Sequence, residues 1–163
     1  MCGAYSIMHG NITLDIANSS VMFDTSQIHP MLVHFPIALA IVGVVLEVLR
    51  FSFRKSESKL PCGELLLYIA AVSAVVALLS GFLFTGSFSG KPLEVRNMHL
   101  LLASLSTASL LLTSLLYLFA RFGKQGRTVF PKVGLTFYIV SAILMGATGH
   151  VGGDLVYTYM IGL

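Results

Sequence analysis

Four long apolar runs, separated by short polar stretches, set the pattern of this chain. The first runs from about Pro30 to Phe51, the second from Glu64 to Phe84, the third from Asn97 to Phe119 and the fourth from Val133 to His150. A helix needs about 20 predominantly apolar residues to cross the hydrocarbon core of a bilayer. Inside that core every backbone polar group must be paired within the protein, which favours helices. The pattern therefore predicts an all-α fold, an integral membrane four-helix bundle over residues 29–163.

Local signals refine the boundaries. Pro30 suits a first helical turn, where its missing N–H is not needed. Pro36, further in, frees a carbonyl near Leu32 and predicts a kink that helps aim His34 into the bundle. Gly86, Ser87, Ser89 and Gly90 read as a turn, followed by a hydrophilic loop with Lys91, Pro92, Glu94 and Arg96. The stretch from Leu155 to Leu163, with Tyr157 and Tyr159, reads as an interfacial segment or an extension of the last helix. Residues 1–28 stand apart as an extracytoplasmic N-terminal tail, in which Ile12, Leu14, Ile16, Val21 and Phe23 hint at a short strand or an interfacial segment. That tail contains no Lys or Arg and no continuous apolar core, unlike a signal or transit peptide.

Composition agrees with the pattern. The chain is 56% hydrophobic and 10% charged, against about 25% charged in a soluble domain. Its formal charge of +3 does not point to nucleic acid, because the basic residues fall in short loops and form no stripe with interleaved aromatics. Those loops orient the bundle. The stretches after the first and third helices hold Arg50, Arg54, Lys55, Lys59, Arg121, Lys124, Arg127 and Lys132, whereas the opposite face holds Lys91 and Arg96. The positive-inside bias then predicts both termini on the outer, non-cytoplasmic side. Cys2 and Cys62 fall on opposite sides and form no disulfide framework, and there is no C-x-x-C.

This topology gathers histidines. His29 and His34 open the first helix, His99 opens the third and His150 closes the fourth, all at the outer side; His9 lies in the tail. An unpartnered polar side chain in lipid is costly, and imidazole is a common ligand of metals and of haem iron. His34, His99 and His150 are therefore candidate ligands of a cofactor or metal. His29 is a fourth candidate and is expected at the rim, because five residues separate it from His34, roughly 140° around a helix. A haem would also need close backbone approach, offered by Gly149, Gly153 and the neighbouring Gly146 and Gly152, and partners for its propionates, offered by Arg96 and Lys91. Each feature has a plainer reading: helix-end histidines bond backbone, and small residues pack helices. Ser104, Ser106, Thr107, Ser109 and Thr113 read as a packing stripe, and Met31, Met145 and Met160 as core or lipid contacts. Glu47 with Arg50 reads as an ion pair at the interface, with a proton relay as the alternative. Asp154 serves either as a partner to an imidazole N–H or as a cap. No nucleophile elbow, phosphate-binding glycine loop or H-E-x-x-H is present, so no enzyme class is assigned.

Two motifs carry a resemblance. His29-Pro30-x-x-Val33-His34-Phe35-Pro36-Ile37-Ala38-Leu39, with Gly149-His150-x-Gly152-Gly153-x-Leu155-Val156-Tyr157 near the end, resembles the bacterial four-helix membrane family called domain of unknown function 2231. The resemblance covers residues 29–163 and implies a multi-pass protein of a bacterial cytoplasmic (inner) membrane. Members occurring beside or fused to c-type cytochrome or Rieske modules imply electron transfer. The chain has no C-x-x-C-H, so it carries no covalent haem of its own. Taken together, the expectation is a b-type haem electron-transfer protein, its site near the outer face, working with a redox partner or larger membrane complex and with homo-oligomers allowed. The alternatives are a histidine site for copper or zinc and a non-catalytic scaffold subunit.

Overall fold

A computed structural model describes residues 28–53, 62–84, 89–122 and 130–159. Among them four α-helices follow one another: α1 (Ile28–Phe53), α2 (Cys62–Phe84), α3 (Lys91–Phe122) and α4 (Phe130–Tyr157). Each contains a stretch long and apolar enough to cross a membrane. The N-terminal tail before Ile28, most of the two basic loops and the last residues of the chain lie outside the described residues.

Helix neighbours alternate in direction. The start of α1 meets the end of α2, where His29 touches Ser80, and the start of α3 meets the end of α4, where His99 touches Thr148. At the other end Arg121, late in α3, reaches Glu64, early in α2. The closest pairings are α1 with α2 and α3 with α4; α1 also packs on α4 and α2 on α3, which leaves α1 and α3 on a diagonal. The bundle thus has a histidine end, where α1 and α3 begin, and a carboxylate end, where they finish.

The centre is built from small residues. Ala40, Ala70, Ala71 and Ala74 are buried beside Leu67, Leu110 and Met145. Between helices surrounded by lipid there is little hydrophobic drive, so close approach of small side chains supplies the packing. Larger side chains such as Val72, Leu83, Phe119 and Ile143 point outward. Of the Ser/Thr stripe of α3, Ser106, Thr107 and Thr113 are buried, as is the neighbouring Ser114, and Ser109 and Thr113 meet Ser141 of α4 at 2.7 and 3.3 Å. Most of these hydroxyls also donate to carbonyls one turn back in their own helix, so the stripe is a bonded seam and not a continuous proton path.

Two helices are longer than the hydrophobic pattern suggests. The stretch Lys91–Arg96, expected as loop, is the first turn and a half of α3. Gly90 turns the chain with φ of 66°, a left-handed conformation that suits glycine, and its carbonyl accepts from Leu93 N at 3.1 Å. Pro92 fits the opening turn, and Glu94 favours its positive dipole end. The last helix passes through Gly146, Gly149, Gly152 and Gly153 and extends to Tyr157, where the Asp154 carbonyl accepts from Thr158 N at 3.0 Å. A charge or a glycine at a span edge lowers apolarity without breaking a helix, and tertiary contacts hold it. α1 likewise runs unbroken through Pro36, which is buried.

Candidate functional site

A cavity of about 850 Å³ opens between the helix pairs at the histidine end. Three histidines line it, and two of them, His29 of α1 and His99 of α3, are partly buried. On α1 the inward stripe follows Pro36, Ala40, Gly43 and Glu47; continued back by one heptad from Pro36 it reaches His29. On α3 the buried Ser106, Leu110, Thr113, Tyr117 and Ala120, continued back through Ala103, reach His99. Both rings are partly buried. They stand near perpendicular across the diagonal, with centroids 6.2 Å apart and 79° between planes.

Neighbouring helices seat each ring. Gly81 of α2 lies so close to His29 that a Cβ there would stand 3.0 Å from Cε1, and Gly152 of α4 backs His99 with a corresponding distance of 2.9 Å. Ser80 Oγ lies 2.8 Å from His29 Nδ1, and the Thr148 carbonyl lies 3.1 Å from His99 Nδ1. These partners set the tautomers. A carbonyl only accepts, so His99 Nδ1 carries the proton. Ser80 directs its own hydroxyl proton to the Ala77 carbonyl at 2.7 Å, so it accepts from His29 Nδ1. In each neutral ring Nε2 is then left as the lone-pair nitrogen.

The remaining expected residues divide. His34 lines the cavity but is exposed, and its Nδ1 donates to the Pro30 carbonyl at 2.6 Å. The expected roles of His29 and His34 are therefore reversed: His29 is the inward ring and His34 the rim. The reason is rotational, since His34 sits two residues before the inward-facing Pro36, on the opposite side of the helix. His150 is exposed and lines no part of the cavity, being two residues before Gly152 and off the inward stripe of α4. Arg96, Gly149 and Gly153 line the cavity; Gly149 packs on Ile37, with a Cβ position 2.9 Å from Cδ1. Lys91 is exposed and outside it. Asp154 is exposed, and its backbone, not its carboxylate, closes the last turn of α4.

Ser80, Gly81 and the Thr148 carbonyl are absent from the expectations. Ser80 and Gly81 lie at the end of an apolar run, where small residues have no distinctive pattern; only the heptad position of His29 opposite them points there. Among the described residues no group of three or more His, Cys, Asp or Glu side chains is arranged to hold a metal ion. The donor set at the cavity is the half-buried His29–His99 pair, with the exposed His34 at its edge.

The expected Glu47–Arg50 ion pair near the end of α1 forms through two contacts, and Glu47 itself is fully buried in the bundle. Glycine makes room for it: a Cβ on Gly63 of α2 would stand 2.8 Å from the Gly43 carbonyl oxygen and 2.9 Å from Glu47 Oε2.

A family model described as predicted membrane protein (DUF2231) matches residues 25–163, and the chain belongs to that family. No curated protein matches the chain. No solved structure matches it either.

Proposed function

We propose that this DUF2231 member binds one b-type haem in the cavity at its histidine end, where His29 and His99 would hold its iron, and passes electrons within the membrane. The observation that carries the reading is the ring pair with its proton-bearing Nδ1 atoms turned to acceptors. A metal-bound imidazole normally donates its other N–H to an acceptor, which fixes the ligating tautomer. A tetrahedral zinc or copper site lacks further protein ligands among the described residues, so haem is favoured over that alternative.

The cavity fits such a group in kind. Its walls are mostly apolar, as cofactor sites are, and include Ile37, Leu78, Phe82 and Met145. Gly149 and Gly152 keep backbone near the space, and Arg96 offers charge to propionates at its margin. Haem supplies one-electron exchange when bound, at a potential that ligands and burial tune. The chain holds and orients the imidazoles, excludes water with hydrocarbon and balances acidic edge groups. The electron partner is a redox protein or complex of the same membrane.

The test is expression with ample haem, purification in detergent and an oxidised and reduced spectrum. A Soret band that disappears in His29→Ala and in His99→Ala but survives in His150→Ala is expected. Purified, folded protein without a Soret band, together with stoichiometric zinc or copper by mass spectrometry, rejects the haem reading in favour of metal.

A further inference from the structure

The cavity does not end at the His29–His99 pair; it runs out sideways between α1 and α4. At roughly 100° per residue, Val33, Ile37 and His34 are turned about 60–160° from the inward-facing Pro36, all to one side. Ile37 marks that side as the one toward α4, because it packs on Gly149. Val33 and His34 line the cavity with it, and Gly149, Gly153 and Tyr157 line it from α4. His34 and Tyr157 are exposed. Among the described residues no other helix comes near Gly153: only the Tyr157 ring of its own helix, at 4.0 Å, approaches its Cβ position. The two helices therefore touch at Ile37 and Gly149 and leave a gap on the histidine side of that contact.

The gap opens into lipid. α1 has 26 residues, about 39 Å at 1.5 Å per residue, so a hydrocarbon layer of about 30 Å centred on it encloses Val33 to Ile37. An opening at that depth admits a molecule dissolved in the bilayer and excludes a water-soluble one. Two polar side chains flank it. His34 donates through Nδ1 to the Pro30 carbonyl at 2.6 Å, which leaves Nε2 as the lone-pair nitrogen of the neutral ring. Tyr157 brings a phenol on the α4 side.

We propose that this portal binds the ring of an isoprenoid quinol, and that the quinol is the electron donor to the histidine site. The electron transfer rests on the haem reading; the binding does not. A haem iron takes one electron and no proton, so a donor that also gives up protons needs a base beside it, and imidazole exchanges protons near neutral pH. The quinol loses two electrons and two protons and leaves as the quinone. Both its O–H bonds break; His34 Nε2 takes one proton and water at the rim takes the other. The electrons pass one at a time to the site held by His29 and His99, and on to the redox protein that accepts them. The flat ring has room beside Gly153, where no side chain stands, and the isoprenoid tail stays in the bilayer. A phospholipid acyl chain, the competing occupant, has no use for either polar group.

The sequence has no Trp, so Tyr157→Trp places a single fluorophore at the portal. Decylubiquinone is titrated into the full chain in detergent. Phe119→Trp, exposed late in α3 at the opposite end, is the control for quinone dissolved in the micelle. Saturable quenching in the Tyr157→Trp protein and linear quenching in the control are expected. Adding Gly153→Leu, which fills the gap, should abolish saturation. Adding His34→Ala should weaken binding about 2- to 10-fold, the worth of one hydrogen bond. Linear quenching in both proteins overturns the proposal. So does displacement of the quinone by an equal concentration of phosphatidylethanolamine, which assigns the gap to an acyl chain. His34→Gln, which hydrogen-bonds but takes no proton, should bind decylubiquinol yet slow its oxidation by haem-loaded protein about 100-fold; an unchanged rate rejects His34 as the base. Saturable quenching in protein without a Soret band supports the portal while rejecting the haem reading, so the two fail separately.

Discussion

Gly152 lies flush against the ring of His99, with room for a hydrogen but not for a methyl group: a Cβ there would stand 2.9 Å from Cε1. The contact joins α4 to α3 at the cavity and ties a glycine of the second motif to an imidazole outside either motif. Gly152→Ala is expected to push the His99 ring off its Thr148 acceptor and lower haem content per folded protein, read from Soret absorbance against protein concentration. Gly146→Ala is the control. Nothing lies within 4 Å of its Cβ position, so it should keep the cofactor and gain up to about 1 kcal/mol from helix propensity.

Ser80 accepts from His29 while its own proton is engaged by Ala77. Ser80→Ala removes the hydroxyl acceptor of the imidazole N–H and makes Nε2 a weaker donor. Cofactor affinity is expected to fall roughly 10-fold or more, measured by haem transfer to apomyoglobin. Thr148→Val, by contrast, keeps the backbone carbonyl that His99 uses. Unchanged affinity in Ser80→Ala would show that the hydroxyl does not orient the ring.

At the opposite end the close approach is backbone on backbone. A Cβ on Gly63 would stand 2.8 Å from the Gly43 carbonyl oxygen and 2.9 Å from Glu47 N, atoms that no rotamer change can move. Gly63→Ala should destabilise the bundle by about 1–3 kcal/mol, the usual cost of overpacking. Thermal unfolding in detergent measures it, and a wild-type Tm would mean that α1 and α2 separate more easily than this contact implies.

Arg50 balances a carboxylate that has no exposure to solvent or lipid. Removing one partner of a buried pair typically costs about 3–5 kcal/mol, whereas replacing both with neutral groups of similar size is often near neutral. Arg50→Met should therefore strongly reduce folded yield, and Glu47→Gln combined with Arg50→Met should restore most of it. Size-exclusion yield and Tm of the single and double variants decide this; equal losses in both would show the charges are not coupled.

Much of the architecture was legible along the chain. Four apolar runs, their lengths and the alternation of their ends made the helix number and the clustering of histidines readable, because span length and backbone pairing are local demands of a bilayer. The end positions were less legible. Lys91–Arg96 looked like loop because apolarity drops there, yet α3 begins at Lys91, and α4, read as far as His150, continues to Tyr157.

Four helices able to span a membrane, with imidazoles toward one end, follow from the order of residues alone. That His29 and not His34 meets His99, that His150 turns away and that Glu47 is enclosed by the bundle emerge from how the helices pack. The difference comes from the solvent. In water an apolar stripe marks the inner face of a helix, but in lipid both faces are apolar, so hydropathy carries little rotational phase. That phase is set where Ala40, Gly43, Gly63, Gly81 and Gly152 let neighbouring helices close on one another, and a turn of two residues around the helix is enough to exchange one histidine for another.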